Sequence, residues 1–196
     1  MNIGRTNIYM RYWRELHAAI NCEIVRRRLK HRIRQSGGRI SANVKLSIAG
    51  KMEFGKALFL NGKGITTCNK MQIIVASEAF LKLGDYTGLS SSSIYCKKNI
   101  TIGNHVNIGA ECLIIDSDFH SSNWEDRENR EIDKNKAKSA PIHISDYVFI
   151  GARSIILKGV SIGEKSIIMA GSVVNKDIPS NCIAGGNPCR ILKFIE

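Results

Sequence analysis

The sequence predicts an all-β solenoid of stacked short strands, preceded by a basic amphipathic helix and interrupted by one long polar loop. Three observations carry this reading. From Ile144 the chain runs ISDYVF IGARSI ILKGVS IGEKSI IMAGSV VNKDIP, with an aliphatic residue at every first position (Ile144, Ile150, Ile156, Ile162, Ile168, Val174). The same ladder stands upstream as IGNHVN IGAECL from Ile102 and as LGDYTG LSSSSI from Leu83. Between the two blocks, residues 116–141 are polar, rich in charge and keep no such step. A fixed period decides the architecture ahead of local propensity.

A step of six is too long for the apolar stripe of a helix and too sparse for a half-buried alternating strand. It suits a short flat strand followed by a turn, repeated, so that neighbouring coils pair their backbones and bury a column of aliphatic side chains. The fifth positions are mostly small (Val148, Ser154, Val160, Ser166, Ser172, Ile178). Glycine recurs at the second (Gly84, Gly103, Gly109, Gly151, Gly163), where its torsional freedom is expected to let the chain turn. Ile48, Phe54 and Leu60 continue the step less cleanly toward the N-terminus.

The 196 residues suit one domain: a basic helix and linker over 1–40, the solenoid over 41–182 with its loop at 116–141, and a tail over 183–196. Of the net charge of +12, most comes from residues 1–40, which hold ten Lys or Arg against two Glu. Tyr9, Trp13, Leu16, Ile20, Ile24, Val25, Leu29 and Ile33 recur at helical spacing, and SGG at 36–38 ends the pattern. This helix is expected to cover the open end of the solenoid. A second expectation is contact with anionic lipid, peripheral to the inner membrane face. Nucleic acid is not an expected partner, because no base-stacking platform accompanies the basic helix. Six dispersed cysteines without a CxxC pair, and no apolar run of transmembrane length, imply a reduced, soluble, cytoplasmic protein.

The hexads resemble those of the hexapeptide-repeat O-acetyltransferases. IGARSIILKGVSIGEKSIIMAGSVVNKDIP and AGGNPCRILK are similar to the C-terminal signature of the maltose, galactoside and polysaccharide O-acetyltransferases, and IIDSDFH to the catalytic segment. The resemblance covers about residues 41–193. It implies a left-handed parallel β-helix with three hexads per coil, a homotrimer, acetyl-CoA as co-substrate, no metal, and a saccharide acceptor. It also explains the interruption, since one coil of these enzymes extrudes a loop with the catalytic histidine at its start.

Acetyl transfer from a thioester to a hydroxyl needs a base, and histidine titrates in the right range. By position in DSDFH that base is His120; Asp116, Asp118 or a backbone carbonyl could hold its ring. Maltose and galactoside enzymes carry His-Pro here and an acceptor-binding asparagine about thirty residues earlier. This chain has Ser121 and, upstream, the run beginning at Ser90. In that respect it is more like members acetylating capsular, lipopolysaccharide or exopolysaccharide sugars, with Trp124, Arg127 and Arg130 as candidate sugar contacts. The donor site implied by the resemblance comprises Phe149, Ala152, Ala170, Asn175, Lys176, Arg190 and Lys193, the basic residues serving the phosphates. No cysteine or serine is visibly paired with the base, so direct transfer without an acetyl-enzyme is expected. Rival readings are an antibiotic O-acetyltransferase, a non-catalytic β-helical scaffold, and a zinc enzyme using His105, His120 and His143, whose spacing does not suit one.

Overall fold

The computed structural model of the chain describes residues 23, 27–41, 43–62 and 71–196. Each turn of the chain lays down one short strand on each of three sheets. The first coil is β1 (Arg39–Ile40), β2 (Val44–Ile48) and β3 (Lys51–Phe54); the second is β4 (Phe59–Asn61), β5 (Met71–Val75) and β6 (Phe80–Leu83). β7 (Gly88–Ser90), β8 (Ser93–Cys96) and β9 (Asn99–Ile102) form the third coil. The fourth, β10 (Asn107–Ile108), β11 (Leu113–Ile115) and β12 (Ile142–Ile144), carries the loop. β13 (Phe149–Ile150), β14 (Ile155–Ile156), β15 (Ser161–Ile162), β16 (Ile167–Ile168) and β17 (Val173–Val174) continue the winding. β18 (Cys182–Gly185) rejoins the first sheet, and β19 (Arg190–Phe194) folds back antiparallel upon it.

Through β17, neighbouring strands in each sheet are therefore three apart in sequence order, with β18 and β19 closing the first sheet: β1-β4-β7-β10-β13-β16-β18-β19, β2-β5-β8-β11-β14-β17 and β3-β6-β9-β12-β15. We call these sheets A, B and C. All pairings among β1 to β18 are parallel, which is the stacked solenoid that the hexads predict, in the form typical of the left-handed β-helix that the resemblance implies. Where the repeat is regular one coil takes eighteen residues, as the pairing of Ile150 with Ile168 and of Ile156 with Val174 shows. The first-position aliphatics Ile102, Ile108, Ile144, Ile150, Ile156, Ile162, Ile168 and Val174 fill the axial core. The fifth-position residues are buried at the corners, and their hydroxyls are bonded: Ser154 Oγ donates to Gly151 O at 2.8 Å and Ser166 Oγ to Pro179 O at 2.6 Å.

The reason for the second-position glycines differs from the one expected. None of them takes a positive φ. The left-handed turn falls two positions on, at Tyr86, His105, Glu111, Arg153 and Lys165. What glycine supplies is room for the next coil: a Cβ on Gly151 would stand 2.4 Å from Ala170 N, and one on Gly163 would stand 2.3 Å from Ser180 N. The requirement is close approach of backbones, not torsional freedom.

The N-terminal helix, α1, is described at 23 and 27–35. Its end packs on the first coils: Leu29 and Ile33 are buried in the same core, and Gly38 N donates to Ile33 O at 2.9 Å while Gly37 turns at φ 80°. This end covers the solenoid's opening. Tyr9, Trp13, Leu16 and Ile20, on which the lipid-contact expectation rests, lie outside the described residues. Among the described residues no helix is long and apolar enough to cross a membrane.

Candidate active site

The loop leaves sheet B after β11 and returns to sheet C at β12, so it stands on the edge between those two sheets. It has structure of its own. A 3-10 turn, η1 (Glu125–Glu128), leads into α2 (Arg130–Lys136), and Ser117 bridges Ser139 across the loop's base. Asn129 starts α2 by accepting the amides of Glu131 and Ile132 on its side chain, the usual device for satisfying a helix's first donors.

α2 delivers Asp133 to the histidine. His120 Nδ1 and Asp133 Oδ2 lie 2.6 Å apart, and the other carboxylate oxygen accepts Ser121 N–H at 2.7 Å. An ionised carboxylate only accepts, so Nδ1 is the donor and the neutral ring keeps its lone pair on Nε2. The imidazole is 69% exposed while the Asp133 side chain is only 11% exposed, which leaves the ring open and its anchor under cover. Hydrogen bonding to His120, then to Ser121, holds the Asp133 carboxyl below the usual carboxylate range. Behind this pair Ser121 Oγ donates to Asp126 Oδ2 at 2.7 Å, and Lys136 Nζ reaches Asp126 Oδ1 at 2.6 Å. Asp126 is likewise lowered, first by Lys136 and then by Ser121.

Neither aspartate named from the sequence holds the ring. Asp116 is fully buried at the loop's root, where its carboxylate accepts the amides of Lys97, Lys98 and Asn99 at 2.6, 2.7 and 2.9 Å. It fastens the loop to the turn between β8 and β9. Asp116→Ala would orphan three amides, and a loss of about 3 kcal/mol or more is expected, readable as a fall of roughly 10 °C in melting temperature. Asp118 pairs with Lys158 Nζ at 2.7 Å. Asp133 itself was missed because the loop reads as irregular chain; the signal was Asn129 at an N-cap spacing ahead of Glu131 and Asp133.

The acceptor candidates separate. Trp124 is exposed just before η1, and Arg130 is exposed at the start of α2. Arg127 Nη1 donates to Ser121 O at 2.7 Å, bracing the residue after the histidine. Ser90 is on β7 in sheet A, away from the edge that bears the loop. Nor do the histidines gather: His105 stacks between Tyr86 and Tyr147 at centroid distances of 4.9 and 5.0 Å, and His143 faces outward on β12. Among the described residues no three His, Cys, Asp or Glu side chains are grouped to hold a metal ion.

The donor candidates form three groups. Phe149 and Lys193 belong to one outward column of sheet A, linked by the pairings Phe149 with Ile167, Ile167 with Ile183 and Ile183 with Lys193. Ala152 and Ala170 stack at the corner between sheets A and B, where Gly171 N donates to Ala152 O at 2.9 Å. Lys176 and Arg190 line one pocket with Ile178 and Cys189, and exposed Asn175 adjoins Lys176. Lys193 lines a different pocket from the one that Lys176 and Arg190 share. The described cysteines, Cys96, Cys112, Cys182 and Cys189, are all buried, and burial pushes the Cys96 thiol up to about 12.

Comparison with known proteins follows the same coils. Residues 141–176 match the family model described as the hexapeptide repeat of succinyl-transferase. The galactoside O-acetyltransferase of Escherichia coli is 42% identical over 97 residues, which cover 50% of this chain and 45% of that protein. The chain thus spans about half the length of that curated relative. The crystal structure of a hexapeptide-repeat acetyltransferase from Vibrio cholerae with acetyl-coenzyme A superposes with a TM-score of 0.52 at 26% identity, covering 79% of this chain and 72% of the other. AntD, an N-acyltransferase from Bacillus cereus seen with dTDP and coenzyme A, shares the fold with a TM-score of 0.64 at 20% identity and 80% coverage of both chains. The chain is a hexapeptide-repeat β-helix, similar in sequence and in fold to acetyltransferases wound from the same coils.

Proposed function

We propose that the protein is an acetyl-CoA-dependent O-acetyltransferase acting on a saccharide hydroxyl, with His120 as general base. The observation that carries this reading is the bond from His120 Nδ1 to Asp133 at the start of the extruded loop. It fixes the ring and frees Nε2 to take the hydroxyl proton as the acceptor oxygen attacks the thioester carbon. The tetrahedral intermediate then expels the thiolate of coenzyme A, and the proton on Nε2 passes to that sulfur, so base and acid are one residue. Buried thiols with raised pKa values are poor nucleophiles, which supports direct transfer. Backbone amides near Ala152 serve the oxyanion in this reading.

The similarity to a protein seen with acetyl-coenzyme A supports the donor, and Lys176 and Arg190, which line one pocket beside Asp177, are the cations offered to its phosphates. We assign the acceptor to sugar units of a capsule, lipopolysaccharide or exopolysaccharide, because Ser121 replaces the proline of the simple galactoside enzymes. The working unit is a homotrimer, supported by the open side of His120 and by Phe149, an outward ring 48% exposed on sheet A. The basic N-terminal segment sets this trimer against anionic lipid, beside lipid-linked sugars.

Calorimetry with acetyl-CoA tests the donor site without knowledge of the acceptor. Saturable binding near one per chain is expected, weakened about tenfold or more by Arg190→Ala and by salt, and kept by His120→Ala. A folded protein that takes up no acetyl-CoA would refute the enzyme reading.

A further inference from the structure

Phe119 immediately precedes His120, and its backbone lies in the left-handed region at φ 63°. For a bulky aromatic residue that conformation is an outlier, and such strain gathers where a site demands it. Most other non-glycine residues with positive φ sit at the repeated corners of the coils; Phe119 belongs to the extruded loop. Its conformation is held from both sides, since Phe119 N donates to Ser117 Oγ at 3.2 Å and Asp118 N to Lys138 O at 2.9 Å.

The consequence is where the ring goes. It lies 4.5 Å from the Tyr95 ring at an interplanar angle of 49°. Tyr95 projects from the outer face of sheet B, in register with Ile74 on one side and Ile115 on the other. The tilted contact uses part of each ring and leaves Phe119 43% exposed. A ring placed only to plug the loop's base would be buried. This one is kept half open, one residue from the base.

We infer that Phe119 and Tyr95 form an aromatic platform for the apolar face of a pyranose acceptor, and that Phe119 is a specificity residue selecting ring sugars over open-chain polyols. The inference rests on the acetyltransferase reading. A pyranose presents axial C–H groups on one face and hydroxyls at its rim. Stacked on the platform, it would turn a rim hydroxyl toward His120 Nε2, whereas an acyclic polyol has no such face to offer. No charge is needed for this contact, so it acts on acceptor affinity and leaves the proton transfer alone.

The test compares wild type with Phe119→Tyr, Phe119→Leu and Phe119→Ala, using methyl β-galactopyranoside and methyl β-glucopyranoside as ring probes and galactitol as the open-chain probe. Acetyl-CoA binding is measured on every variant by calorimetry, and folding by melting temperature. Saturation transfer from protein aromatic protons to the ring probes gives a second readout, independent of turnover. Phe119→Tyr is expected to behave as wild type. Leucine keeps the apolar bulk but has no aromatic face, so Phe119→Leu and Phe119→Ala should raise the KM for a ring probe about tenfold, weaken its saturation transfer, and leave kcat and the galactitol KM within about twofold. Equal losses on ring and open-chain probes, or a fall in kcat with KM unchanged, would overturn the platform. So would a wild type that binds acetyl-CoA yet neither binds nor acetylates a ring probe. A wild type that binds no acetyl-CoA overturns the enzyme reading beneath it.

Discussion

His120→Ala is expected to lower kcat by about 10²- to 10⁴-fold, the range general-base catalysis supplies, with the affinity for acetyl-CoA unchanged. The substitution removes a side chain that is 69% exposed and, among the described residues, bonded through Nδ1 alone, so little packing is lost and the fold should persist. Asp133 keeps its bond to Ser121 N–H, and Asp126 keeps Lys136, so the loop retains its anchors. The measurement is steady-state release of coenzyme A in the presence of a sugar acceptor, alongside calorimetric binding of the donor. A variant that retains activity within about tenfold of wild type would remove His120 from the chemistry and leave the thioester site without a base.

The solenoid was legible because its rule is local and repeated. Each first-position aliphatic in the last two coils points inward for the same reason, and the reading needed no long-range information to place Ile150 above Ile168. The glycines were correctly placed in the pattern and wrongly explained: a spacing shows that a position excludes side chains, while only the stacked coils show that Ala170 N is what excludes one at Gly151. The loop was legible in its bounds, since the break in the repeat falls between the end of β11 and the start of β12. Its internal order was not, because Asp133 is thirteen residues from His120 and reaches it only when η1 and α2 fold the chain back. From the sequence alone Asp116, Asp118 and a backbone carbonyl are equally open as the ring's partner. Once the loop closes, a buried Asp116 is claimed by three amides of the preceding turn and Asp118 by a lysine of the next coil. The N-terminal helix was legible at the end that packs, where Ile33 meets the first coils.

Asp133→Asn should be more harmful to turnover than Asp133→Ala, the reverse of what loss of a contact alone would give. The carboxylate accepts two donors, His120 Nδ1–H and Ser121 N–H. An asparagine has one oxygen and one NH₂, and the backbone N–H of Ser121 can only donate, so the amide oxygen must face Ser121. The NH₂ is then directed at Nδ1, which becomes the acceptor; the ring proton moves to Nε2, and the atom that should take the acceptor's proton already holds one. A wrong tautomer of this kind is worth about 10³- to 10⁴-fold in kcat. Alanine leaves a gap in which water can accept from Nδ1, so the correct tautomer stays accessible and the loss is nearer 10- to 100-fold, through ring disorder. Nitrogen NMR of the labelled imidazole distinguishes the tautomers directly, and acetyl-CoA affinity should be equal in both variants. The pair also sets an acid limit on loop order: Asp133 and Asp126 have folded pKa values below the ordinary carboxylate, so their contribution is complete above about pH 4 and is lost as pH falls through the depressed values. Were asparagine milder than alanine, with the Nδ1–H tautomer retained, the carboxylate would be holding the loop's shape and not the proton on the ring.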